Sequence, residues 1–238
     1  MTQLTELLAS ARPLLLFENT RGKTEDAWLF TKPKQSITAQ HPYEIESALQ
    51  QIDQERKRGR YVAGYIAYEA AYALQEPLKK LQWAEQSNQP LLQFYSFDSV
   101  QRLPVQAITE ALEQLTESPS FISQLQYSET EEEYIEKLHR IHAYIKSGDT
   151  YQVNHTLRIE ATLKGSINGL YQTLRQRQPV TYSALFHLPE QSILSLSPEL
   201  FISKHGSTLT SKPMKGTAAR GTSEAEDQAI IKTMQMDE

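Results

Sequence analysis

Two short apolar runs, Leu14-Leu15-Leu16-Phe17 and Ala27-Trp28-Leu29-Phe30, flank a polar stretch that contains Gly22. They predict two strands joined by a turn. Residues 43–58 follow a helical period instead, with Ile45, Ala48, Leu49 and Ile52 on one face and Gly59 as the stop. Apolar segments at 61–67 and 91–100 predict two buried strands, and 103–108 reads as a continuation of the sheet. The polar stretch 116–120 is a candidate boundary.

Beyond it, Ser128 and Glu131 have the spacing of a capping box. The helix they would open carries Tyr134, Leu138, Ile141 and Ile145 on one face and ends at Gly148. Residues 151–163 then alternate strictly: Tyr151, Val153, His155, Leu157, Ile159, Ala161 and Leu163 against polar neighbours, the pattern of a strand with one buried face. A short helix is expected around 170–177. Strands follow at 182–188, 191–196, 200–204 and 207–211, the last two joined by a tight turn at His205-Gly206. Successive strands with short connections pair most readily antiparallel. The class is therefore α+β, with helices covering antiparallel sheets. Ser223 and Glu226 suggest a second capping box, opening a helix through Ala229, Ile230 and Met234. That helix meets two acids, Asp237 and Glu238, where the dipole disfavours them, so the sequence is expected to be cut there.

Composition narrows the classes. The 238 residues, 39% of them hydrophobic, suffice for one large or two small domains. A net charge of -5 argues against a general nucleic-acid binder. The one basic cluster, residues 55–60, closes a helical pattern, where cations favour the dipole and solvent. Cysteine is absent, which excludes disulfides and thiolate chemistry and suits a cytoplasmic protein. No apolar run has the roughly 20 residues of a membrane span, and the first residues lack the basic segment of a signal peptide. Walker, dinucleotide and nucleophile-elbow motifs are missing. His139 and His142 lie three apart on a helix, but without a zinc-type carboxylate pattern an ordinary amphipathic helix is the better reading.

Two polar residues stand out. Glu199, in Ser197-Pro198-Glu199, lies between two expected strands; it is either a turn carboxylate or a proton-transfer group. Lys215 follows an expected strand and precedes Gly216, which permits close backbone approach. It is either a surface charge or a nucleophile, and a nucleophilic lysine must be deprotonated by burial or a second cation.

The ordered set Gly148-Asp149-Thr150-Tyr151-Gln152-Val153-Asn154, Ser197-Pro198-Glu199 and Pro213-Met214-Lys215-Gly216-Thr217 with Arg220-Gly221 resembles the chorismate-utilising enzymes, among them the large subunits of anthranilate synthase and aminodeoxychorismate synthase. The stretch from Tyr61 to Ala70 resembles their glycine-tyrosine-glutamate strand. The resemblance implies stacked antiparallel sheets with outer helices. It also implies an N-terminal region over 1–118 and the start of a chorismate-binding domain over 119–238, intertwined in one structural domain. Anthranilate synthases carry alanine at the position of Lys215, so this lysine points to the aminodeoxychorismate branch. Lys215 then attacks carbon 2 of chorismate, Glu199 is the catalytic acid or base, and Gly216 and Thr217 contact substrate. The product, 4-amino-4-deoxychorismate, leads to para-aminobenzoate and folate. Ammonia would come from a separate glutamine amidotransferase subunit, and this chain has no cysteine to play that part. The family's Mg²⁺ ligands, an active-site histidine and a Gly-Ala-Pro-Lys loop belong to a C-terminal half not contained in these residues. The chain alone is therefore expected to be inactive. An anthranilate-synthase-like enzyme and a non-catalytic, partner-binding remnant are the alternatives. Leu16-Phe17-Glu18-Asn19 stands where anthranilate synthases have a Leu-Leu-Glu-Ser tryptophan motif, and Gln178-Pro179-Val180-Thr181-Tyr182 where they have Asn-Pro-x-Pro-Tyr. Glu18 and Tyr182 would thus mark a vestigial tryptophan pocket, or Glu18 would simply support a strand end.

Overall fold

The computed structural model describes residues 2–22, 26–79, 89–116, 119–214 and 217–236. Its centre is β1 (Leu14–Glu18), paired antiparallel on one side with β2 (Asp26–Thr31) and on the other with β9 (Tyr182–His187). With β6 (Gln101–Pro104) and β10 (Ser192–Ser197) they form a five-stranded sheet in the order β10-β9-β1-β2-β6. A strand from the start of the chain thus sits beside one from residue 182 onward, so the two sequence regions share a sheet.

Period-2 geometry explains why β1 is apolar at consecutive positions. Leu14 and Leu16 face one side with Leu29 and Leu185; Leu15 faces the other with Phe30 and Phe186. The first side is covered by α1 (Gln3–Ser10), α5 (Val105–Gln114) and α7 (Ile167–Arg177). The second packs on a three-stranded sheet ordered β3-β5-β4: β3 (Gln35–Ala39), β5 (Leu92–Phe97) and β4 (Tyr61–Ile66). Phe30 and Phe97 meet there with ring centres 5.1 Å apart. Behind that sheet, Ile45 and Ala48 of α2 (Ile45–Lys57) bury against Ile37 and Leu92. The layers run helix, sheet, sheet, helix. Two single-turn helices, α3 (Ala71–Leu74) and α4 (Glu76–Lys79), follow β4. Gly64 is needed where β4 meets β5, since a Cβ there would lie 2.1 Å from the Gln93 carbonyl oxygen.

The rest of the chain is less enclosed. Among the described residues, β7 (Phe121–Tyr127) pairs only with β8 (Ile159–Lys164), α6 (Glu131–Ser147) joins them, β11 (Leu200–His205) pairs only with β12 (Thr208–Lys212), and α8 (Glu224–Met236) follows. Gly148 ends α6 at φ 81°, the left-handed conformation that spares glycine the Cβ penalty.

Several expectations need correction. Residues 105–108 are helix, because Val105, Ile108, Ala111 and Leu112 recur at helical spacing and bury one face behind Pro104. The box on α6 is Thr130 with Glu133, two residues later than Ser128 with Glu131. At α8, Ser223 does accept from the Glu226 amide (3.3 Å), but the Glu226 carboxylate reaches the Thr222 amide (2.6 Å). Asp237 and Glu238 lie outside the described residues. Strand β8 begins only at Ile159, and residues 152–158 have no regular structure despite their alternation. Its partner β7 runs out at Tyr127, opposite Ile159, and a strand needs a neighbour for its backbone groups. β4 is only partly buried, with Ala63 its one buried residue. The basic cluster is not purely solvated: the Glu55 side chain is buried, with Arg58 at 2.6 Å and Arg60 as its second partner. Hydrogen bonding by Arg60 above all brings the Glu55 pKa down to about 2.

Candidate active site

Three adjacent strands end together. Glu18 closes β1 opposite Ser183 of β9, and Tyr182, which opens β9, pairs with Ser197, which closes β10. The register therefore gathers Glu18, Tyr182, Ser183 and Ser197 at one end of the sheet, and Glu199 lies two residues beyond. A cavity of about 580 Å³ opens here, walled by Phe17, Trp28 and Tyr182, with Ser195 and Ser197 among its polar groups. Tyr182 lines this cavity, whereas Glu18 only borders it, because its side chain has no accessible surface.

The Glu18 carboxylate is already engaged. One oxygen accepts from the Tyr171 hydroxyl (2.6 Å) and the other from Arg175 Nη2 (2.5 Å), both on α7. Tyr171 is one helical turn before Arg175, so both point the same way into the core. Ser183 shares the Tyr171 hydroxyl at 2.8 Å. Burial pushes the Glu18 pKa up, against the pull of Arg175 and Tyr171. Burial and then the Glu18 charge raise that of Tyr171 strongly. The pattern gave no sign of Tyr171 or Arg175. Their only signal was their i, i+4 spacing on a helix whose last turn also holds Arg177.

Glu199 sits in the two-residue link between β10 and β11 and is exposed. Its Oε1 accepts the Met214 amide at 3.1 Å. The β11–β12 hairpin makes this possible, since Leu200 pairs with Lys212 and so returns the chain to Glu199. The carboxylate is thereby fixed to the residue that precedes Lys215. Lys215 and Gly216 themselves lie outside the described residues. Thr217 is exposed, in the irregular segment between β12 and α8. Among the described residues, no three His, Cys, Asp or Glu side chains group so as to hold a metal ion, and no helix is long and apolar enough to cross a membrane.

Residues 12–238 match the family described as chorismate binding enzyme, to which this chain belongs. Aminodeoxychorismate synthase component 1 of Bacillus subtilis is 38% identical over 101 residues, 42% of this chain and 22% of that protein. The protein of the same name from Escherichia coli is 39% identical over 105 residues, 44% of this chain and 23% of its own length. Anthranilate synthase component 1 of Lactococcus lactis is 28% identical over 180 residues, 73% of this chain and 38% of that protein. A solved structure described as a 2,3-dihydroxybenzoate-specific isochorismate synthase from Bacillus anthracis shares the fold, with TM-score 0.61 and 15% identity over 99% of this chain and 58% of that one. The chain spans well under two thirds of the length of the curated relatives it matches.

Proposed function

We propose that this chain carries part of the active site of an enzyme that aminates chorismate at carbon 4, giving 4-amino-4-deoxychorismate. The observation that carries the reading is the hydrogen bond from the Met214 amide to Glu199, which ties the carboxylate to the residue before Lys215. The Lys215 amine adds at carbon 2 of chorismate while the 4-hydroxyl departs as water with a proton from Glu199. Ammonia then adds at carbon 4, releases the lysine amine, and gives up a proton that returns to Glu199. Chorismate and ammonia thus become product and water, and Lys215 is regenerated. Gly216 and Thr217 contact the substrate. The relatives named aminodeoxychorismate synthase component 1 support this branch, and Lys215 is its chemical reason. Ammonia is supplied by a glutamine amidotransferase, and the setting is the cytoplasm, in the supply of para-aminobenzoate for folate. Among the described residues no group of His, Cys, Asp or Glu side chains fits the Mg²⁺ that the resemblance implies.

The Lactococcus relative, which aligns over more of the chain, favours a second reading in which ammonia attacks carbon 2 as in an anthranilate synthase. In the reading of a vestigial tryptophan pocket at Glu18 and Tyr182, Tyr182 walls the cavity and Glu18 borders it with its side chain turned into the core. The Glu18 oxygens are occupied by Tyr171 and Arg175, which favours strand-end support over ligand contact.

Lys215→Ala separates the two branches. These 238 residues alone are expected to give no turnover, so the variant belongs in an enzyme that contains them together with the remainder of the family fold. A drop in aminodeoxychorismate formation of at least about a thousandfold is expected, roughly 4 kcal/mol of barrier. Carbon-2 amination products should become detectable by chromatography and mass. An undiminished rate of aminodeoxychorismate formation would end the nucleophile assignment.

A further inference from the structure

We propose that Ser197 is the positioning residue for Glu199, an inference that rests on the catalytic reading above. Glu199 is exposed, so packing does not hold it. What holds it is local. The Ser197 hydroxyl donates to the Glu199 carbonyl oxygen (3.1 Å) and accepts from the Glu199 amide (3.3 Å), closing the Ser-Pro-Glu turn on both sides of one residue. Pro198 between them fixes its own φ near -65°, which removes freedom the turn would otherwise have.

Ser197 is itself anchored. It closes β10 in register with Tyr182, and β10 is bound to β9 along six residue pairs from Ser192 to Ser197. Beyond Glu199 the support weakens. Among the described residues the hairpin β11–β12 pairs only with itself, and its register shifts between Leu200 and Ser203. The carboxylate therefore lies between a rigid sheet and a lightly held hairpin, and the serine hydroxyl fixes its backbone to the sheet side. The bond to the Met214 amide then passes that position to the segment leading to Lys215. A turn-forming serine with no such role would stabilise its own loop and leave Met214 untouched.

Amide hydrogen exchange on the 238-residue protein reads this directly. Ser197→Ala should speed exchange at Met214 about fivefold, the worth of one ordinary hydrogen bond, with the unfolding midpoint unchanged. Ser197→Thr keeps the hydroxyl and should restore protection. Glu199→Ala should speed Met214 exchange by itself, and adding Ser197→Ala to it should give no further increase, because the two act in series. Unchanged Met214 exchange in Ser197→Ala, or effects that add in the double variant, would overturn the proposal. The catalytic reading is tested apart, by turnover of Glu199→Gln in an enzyme that contains these residues. Full activity there would end Glu199 as acid or base and leave the exchange result standing. A dead Glu199→Gln enzyme with flat exchange in Ser197→Ala would sink the Ser197 role alone.

Discussion

The two ends of β10 belong to different kinds of structure. Upstream lies a five-stranded sheet whose central strand has three consecutive fully buried leucines, covered by helices on one face and a second sheet on the other. Downstream, no described residue from 199 to 236 is buried, and the same holds for the ribbon and helix of residues 121–164. Burial of apolar area is the dominant favourable term in folding, and a two-stranded hairpin is at best marginal by itself. Stability therefore resides in the layered half. The catalytic candidate Glu199 stands where that half gives way to the open one, borrowing its position from the sheet through a short turn.

The largest break in this comparison comes from the buried pair. Arg175→Met removes the cation from a carboxylate whose side chain has no accessible surface. Losing one partner of a buried ion pair costs about 3–5 kcal/mol, and the lower end is expected because Glu18 can take up a proton. Leu29→Ala, in the same core, should cost about 2–5 kcal/mol by transfer and cavity terms. Denaturant midpoints at constant m-value check both. A loss under about 1 kcal/mol in both variants would show that the sheet is not where stability resides.

Local pattern made the layered half legible. β1, β2, β5 and β9 were visible because runs such as Leu14 to Phe17 are too apolar to be exposed. It misled where the deciding partner is remote. Residues 151–158 have a strand's alternation, but alternation states only what a strand would bury, not whether another strand lies alongside. Val105 and Ile108 formed too short a run to separate helix from strand. Four successive candidates, Thr130 to Glu133, let the capping box slip by two residues. Glu199 was visible through its motif. Its hold on Met214 depends on hairpin register, and the engagement of Glu18 depends on Arg175, 157 positions away; no local pattern encodes either.

A pH effect of intermediate size should also belong to the layered half. His187 on β9 is buried, with Ser192 Oγ and Asn168 Oδ1 each 2.8 Å from a ring nitrogen. Burial first, then the Arg12 charge, brings its pKa down to about 4 from 6.5. The folded state thus binds fewer protons than the unfolded chain between these values. Its contribution is fully present above about 6.5 and is lost as pH falls toward about 4. His187→Gln should flatten the stability profile in that window. An unaltered slope would mean that another group titrates there.

The smallest expected effect tests the open half. Phe201 on β11 is 85% exposed, and Leu209 on β12 is 67% exposed. In a core, such residues would cost several kcal/mol to truncate. Here Phe201→Ser should change unfolding stability by no more than about 0.5 kcal/mol, as for surface sites without special contacts. It also removes apolar surface from an edge, which lowers the drive to associate. Sedimentation of Phe201→Ser should therefore show less self-association than the parent protein at equal concentration, with the denaturant midpoint almost unmoved. A loss above about 2 kcal/mol would place Phe201 in a packed environment and erase the contrast between the halves. Stability unchanged but association undiminished would keep the contrast and move the sticky surface elsewhere, to the β7–β8 ribbon, where Phe121 and Ile159 are the next side chains to replace.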